Sequence, residues 1–151
     1  MTRIINAGEL AALVGQRLGS SDWVQITQDM VNAFAEATGD RQWIHCDPQR
    51  AGAESPYGGP IAHGFLTLSL GPVLADQVFS VAGSRLTINY GLNRVRFPSA
   101  VRVGSRVRMH VDLLGFQEMP GALQVTLNET VEIDKAEKPA CVAEAVVRFI
   151  L

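Results

Sequence analysis

Apolar and polar residues alternate most clearly in the last third of the chain. Val107, Met109, Val111 and Leu113 interleave with Arg106, Arg108, His110 and Asp112, the two-residue period of a strand with one dry and one wet face. Leu123, Val125 and Leu127 repeat the pattern against Gln124, Thr126 and Asn128, and Cys141, Ala143, Ala145, Val147 and Phe149 carry it to the C-terminus. Three long strands in succession are expected. The stretches between them, GFQEMPGA and DKAEKPA, hold glycine, proline and charge, so successive strands should be joined as hairpins and pair antiparallel.

A different pattern runs from His63 to Phe79, HGFLTLSLGPVLADQVF, which is too long for one strand and apolar on nearly all sides. That describes a helix buried by its surroundings, kinked at Pro72. A second helix fits Gln28 to Thr38: Thr27 can cap it, Asp29 suits its first turn, Met30, Val31, Phe34 and Ala37 face one way, and Gly39 ends it. Asp47 and Pro48 read as the cap and first position of a short helix near Arg50 to Ala53, the rest of residues 39–60 being loop. A further strand pair is expected at Trp23 to Ile26 and Arg85 to Phe97. One all-round apolar helix and several antiparallel strands each need the other to hide apolar surface, which gives an α+β arrangement with the sheet curled about the helix. The exposed edge of such a sheet favours a homodimer.

Composition narrows the picture. A chain of 151 residues, 47% hydrophobic and 19% charged, is the size of one domain, 1–151, with a real core. Thirteen basic against fifteen acidic side chains, with no Lys/Arg block, argue against a nucleic-acid partner. The N-terminus lacks the apolar run of a signal peptide and no 18-residue stretch suits a bilayer, so no membrane association and a cytoplasmic location are expected. Cys46 and Cys141 have no C-x-x-C spacing and are expected to be reduced. His45, His63 and His110 lack tight ligand spacing, so neither a metal nor a redox cofactor is expected, and His110 reads as a surface residue.

The densest polar chemistry lies in ATGDRQWIHCDP, residues 37–48. Asp40 and His45 are five apart, which on a helix would separate them, but on a loop begun by Gly39 they can converge as a proton-handling pair near neutral pH. The residues alone leave open that Asp40 is a turn residue and His45 a satisfied imidazole. Asp47 is accounted for by capping, and Trp43 by packing. In GGPIAHGFLTLSL, residues 58–70, two glycines and a proline precede the long helix, whose first amides lack internal partners. Gly64 would offer an unobstructed N–H to a developing oxyanion, or merely allow close packing.

Together FAEATGDRQWIHCDPQRA and GGPIAHGFLTLSL resemble the signature of MaoC-like dehydratases, the (R)-specific enoyl-CoA hydratases, and most closely a subgroup resembling nodulation-protein-N-like members. The resemblance implies a hot-dog fold. It also implies catalytic roles for Asp40 and His45, thioester polarisation by the Gly64 N–H, no cofactor, and an acyl thioester of coenzyme A or acyl carrier protein as substrate. Where many members carry Asn-Pro, this chain has Gln42-Trp43. An apolar slot for the acyl chain is expected around Phe65, Leu66 and Leu70 or the Tyr57 loop. Tyr57, His63, Phe65, Asn89 and Asn93 are candidate substrate contacts, His63 could also orient the loop by hydrogen bonding, and Arg94, Arg96, Arg102 and Arg106 are candidate partners for carrier phosphates. Two rivals share these features: an acyl-CoA thioesterase on the same fold and a non-catalytic acyl-thioester-binding subunit.

Overall fold

The computed structural model describes residues 2–151. An N-terminal part comprises β1 (Arg3–Ile5), α1 (Ala7–Leu13), β2 (Arg17–Ser20) and β3 (Val24–Gln25). A helical stretch follows, with α2 (Gln28–Thr38), α3 (Trp43–Cys46), α4 (Pro48–Glu54), α5 (Gly64–Ser69) and α6 (Gly71–Val78). The chain then closes with β4 (Phe79–Val81), β5 (Leu86–Arg96), β6 (Arg106–Met119), β7 (Ala122–Ile133) and β8 (Cys141–Ile150).

The alternating segments form β6, β7 and β8, paired antiparallel as their pattern predicts, in a sheet ordered β2-β6-β7-β8-β5 with β3 also on β6. Their dry face is complete: Val107, Met109, Val111 and Leu113 are all 0% exposed. The first hairpin is tighter than GFQEMPGA suggests. A bulge between Leu113 and Gly115 lets β6 continue to Met119, leaving only Pro120 and Gly121 for the turn, with Gly121 at φ +70. The strands expected at 23–26 and 85–97 both form but do not pair with each other; β3 lies on β6 and β5 on β8. β1 and β4, which the pattern does not reveal, make a separate parallel pair.

The long apolar segment is two helices rather than one. Pro72 has no N–H to offer the preceding turn, and the division falls at Leu70, which keeps a right-handed helical backbone (φ −74, ψ −13) and accepts the Leu74 N–H at 3.0 Å. Leu66, Leu74 and Val78 enter the core, but Phe65 and Val73 are 67% and 55% exposed, so the segment is not enclosed on all sides. α2 is capped as expected, by Thr27 Oγ1 accepting the Met30 N–H and by Gly39 at φ +80. Its buried pair is Val31 and Ala35, four apart, while Ala37 is exposed rather than inward. α3 occupies residues expected to be loop. Asp47 caps α4 through the Arg50 N–H at 3.0 Å, with Pro48 at its start. No helix among the described residues is long and apolar enough to cross a membrane.

Candidate active site

Asp40 follows directly on the left-handed Gly39 that stops α2, so the turn that ends the helix also sets the start of the site. Its carboxylate Oδ1 accepts the Gln42 N–H at 3.5 Å, a local turn that holds the acid beside the N-cap of α3. His45 sits on that short helical turn, not on open loop, and is 8% exposed. Ile61 fastens it from the other side: the Ile61 N–H donates to Ile44 O at 3.1 Å, and Ile61 O accepts from His45 Nδ1 at 2.6 Å.

That bond decides the tautomer. A carbonyl can only accept, so Nδ1 carries the proton and Nε2 keeps its lone pair. Burial lowers the His45 pKa below the usual imidazole value, against the opposing pull of the Ile61 bond, and so favours the neutral ring. His63 is 3% exposed and stacks on His45 with ring centroids 3.9 Å apart and planes 26° apart. Its Nε2 donates to the backbone carbonyl of Asp40 at 2.9 Å, while Nδ1 is buried without a partner. Candidate substrate contact His63 is therefore placed behind the site, bracing Asp40 and His45.

One donor atom each from Asp40, His45 and His63 lie within 4.8 Å of one another, a closeness that their separation in sequence conceals. The donor set resembles a metal cluster, but the two imidazoles stack. Each lone pair lies in its ring plane, and near-parallel planes 3.9 Å apart do not meet within the ~2.0–2.1 Å of a metal–nitrogen bond. The arrangement suits a shared water better than a shared ion.

Gly64 opens α5 directly after His63. The His63 carbonyl accepts from Leu66 and Thr67, and no backbone acceptor takes the exposed Gly64 N–H among the described residues. A Cβ here would lie 3.2 Å from the ring of Phe97, just past β5, so glycine lets the two approach without displacing that ring. Phe65 meets the same ring edge-on at 6.1 Å and is otherwise exposed.

Gln42-Trp43 fits this corner without disturbing it. Gln42 is the N-cap of α3 and Trp43 its first residue, the position where a helix tolerates proline because the N–H is unpaired in any case. Trp43 thus takes the same helical place, and Arg50 covers its indole at 4.4 Å.

Other expected contacts are scattered. Tyr57 is 46% exposed beyond α4, and Asn93 is tied to Glu144 at 3.0 Å. Arg106 pairs with Asp134 at 2.6 Å, Arg102 donates to Gly58 O and Arg96 to Val95 O, leaving Arg94 without an assigned partner among the described residues. His110 is held between Ser20 and Glu132 rather than free at the surface. Leu66 belongs to the core, and the apolar hollow lies farther along the helices: a cavity of about 460 Å³ between Leu68, Pro72, β5 and β8, with Asn89 and Glu129 in its wall. Asp40, His45 and Gly64 do not line it. Glu129 was missed by sequence reasoning, although it continues the odd-numbered register of Leu123, Val125 and Leu127 and so points to the dry face.

Residues 9–134 match the family described as MaoC like domain. 3-hydroxyacyl-thioester dehydratase Z of Mycobacterium tuberculosis is 54% identical over 146 residues, 96% of each chain. Nodulation protein N of Rhizobium meliloti is 48% identical over 92% of this chain and 88% of its own. Among solved structures, the (R)-hydratase from A. caviae involved in PHA biosynthesis superposes with a TM-score of 0.68 at 27% identity, covering 89% of this chain and 94% of that one. The motif, the topology and relatives of matching length agree, and the chain belongs to the MaoC-like dehydratase family, hydro-lyases on the hot-dog fold.

Proposed function

We propose that this protein is an (R)-specific enoyl-CoA hydratase, catalysing reversible syn hydration of a trans-2-enoyl thioester to the (R)-3-hydroxyacyl thioester. The observation that carries the reading is the convergence of Asp40 with the neutral, lone-pair-bearing His45, next to an unpartnered Gly64 amide. Asp40 and His45 hold one water between them. As its oxygen bonds to the β-carbon, its O–H proton passes to the pair, the carbon–carbon double bond opens toward the thioester, and the oxygen that gains enolate charge accepts the Gly64 N–H. A proton returned to the α-carbon on the same face completes the product and leaves the pair as it began. His63 acts through Asp40 and His45, fixing the angle between them, and Tyr57, Phe65, Asn89 and Asn93 remain candidate contacts to the acyl or carrier portion.

The acyl chain is assigned to the cavity along α5 and α6, whose size falls within the ~300–1,000 Å³ usual for small-molecule sites. The protein is further proposed to be a cytoplasmic homodimer joined through β5. That strand is the free edge of the sheet, all but one of its residues are exposed, and Leu86, Ile88, Tyr90 and Leu92 present apolar side chains to solvent. Light scattering giving a monomer mass would remove the dimer.

The test of activity is crotonyl-CoA absorbance. Loss of the enoyl band without release of free thiol is expected; thiol release would instead support thioester hydrolysis, and no change in either would leave a binding subunit.

A further inference from the structure

Glu129 is the one carboxylic acid less than a tenth exposed among the described residues. It stands on β7 between Leu127 and Val131, which are 1% and 3% exposed, where alternation would place an apolar side chain. Its Oε2 lies 3.2 Å from where a Cβ of Gly71 would be, so the absence of a side chain at Gly71 makes room for it under the start of α6. Burial alone displaces its titration, with no hydrogen bond or opposite charge to offset it.

The carboxyl faces space. It lines the 460 Å³ cavity and also an adjoining hollow of about 200 Å³, which shares Pro72, Asn89 and Val147 with the first. Glu129 and Asn89 therefore stand at the junction of two hollows whose other walls include Leu68, Leu92 and Phe149. An all-hydrocarbon occupant would leave a buried carboxyl with nothing to bond, which is costly. A hydroxyl both donates and accepts, so it satisfies the group in either protonation state, whereas an ammonium satisfies only the ionised form.

We propose that Glu129, assisted by Asn89, is a specificity-determining residue selecting acyl thioesters that carry a hydroxyl toward the far end of the chain over plain alkyl chains of equal length. Gly64 opens α5 and Gly71 opens α6 seven residues on, and because Leu70 between the two helices keeps a helical backbone the rise is about 10 Å. A carbonyl at Gly64 thus sets the hydroxyl roughly eight to nine carbon–carbon bonds away, at about 1.25 Å of advance per bond. The location of that carbonyl rests on the hydratase reading; the character of the cavity does not.

The experiment compares trans-2-decenoyl-CoA with its ω-hydroxylated counterpart as substrates, and decanoyl-CoA with ω-hydroxydecanoyl-CoA as ligands by calorimetry. Wild type, Glu129→Gln and Glu129→Leu are used, each checked for folding by circular dichroism. The expected result is a wild-type preference of about 10- to 100-fold for the hydroxylated chain, carried mainly in KM and in binding, retained in large part by Gln and lost or reversed by Leu. Equal handling of the two chains by wild type, or a preference that survives Glu129→Leu, overturns the proposal. Should Glu129→Leu fail to fold, the wild-type contrast still decides. Hydration of neither substrate would reject the hydratase reading, while the calorimetric contrast would judge Glu129 separately.

Discussion

His45 and Glu129 are each 8% exposed, yet His45 is engaged on several sides and Glu129 on none. Ile61 O takes the His45 Nδ1 proton, Gln28 Nε2 bonds the His45 carbonyl at 2.8 Å, and His63 covers the ring, so only Nε2 is left to act. Glu129 has apolar neighbours and a hollow in front of it. A buried polar group with all but one valence satisfied is oriented for chemistry, whereas one with no protein partner and a hollow in front of it is free to bond an occupant. On the proposed function, the two ends of the helical segment divide reaction from recognition.

The sharpest way to break this division is at the first site. Asp40→Asn and His45→Gln are each expected to lower kcat for enoyl thioester hydration by about 10²–10⁴-fold while leaving the calorimetric affinity for saturated acyl-CoA nearly unchanged. Wild-type rates in either variant would end the catalytic assignment.

The next largest effect concerns Glu129 and stability. Its carboxyl ordinarily titrates at 4.5 and in the folded chain at about 7, so between those values the native state holds a proton that the unfolded state has released. Its contribution is fully present below pH 4.5 and is lost as pH rises to about 7, amounting to about 3 kcal/mol. Urea melts of wild type and Glu129→Gln across that range should diverge accordingly, the variant lacking this pH-dependent decline. Parallel curves would contradict a buried, unpaired acid.

Gly64→Ala is expected to cost up to about 10²-fold in kcat/KM, because the added methyl meets Phe97 at 3.2 Å and shifts the amide. A second change, Phe97→Leu, should recover part of the loss; additive effects in the double-mutant cycle would mean the two are uncoupled. The smallest effect is foreseen for Trp43→Pro, which keeps a residue suited to the first helical position and removes only the contact under Arg50, about 0.5–1 kcal/mol. A large fall in activity there would show that the indole does more than pack.

What the chain discloses in one dimension follows the range of each interaction. β6 to β8 were legible because sustained alternation over six residues or more leaves little else to form, and α2 because Thr27 and Gly39 mark both of its ends. Asp40, His45 and Gly64 were singled out through the spacing of two motifs, and the fold brings the first two together. The four-residue α3, the division at Leu70 and the parallel β1–β4 pair were not, since each is too short for periodicity and depends on packing from elsewhere. His63 was recognised for the hydrogen bond by which it could orient the loop, but its stacking on His45 exists only in the folded chain. Glu129 carried a signal in its register, an acid on the side of Leu123, Val125 and Leu127, but it lies one residue past the stretch whose alternation drew notice.

β5 is at once the last strand of the sheet and, through Asn89, Gly91 and Leu92, a wall of the large cavity. Its outer backbone and its inner surface move together, so clamping the strand from outside fixes the bore within. If the acyl chain is seated there as proposed, chain-length tolerance becomes a mechanical property, set as much by what grips that margin as by the side chains that line the bore.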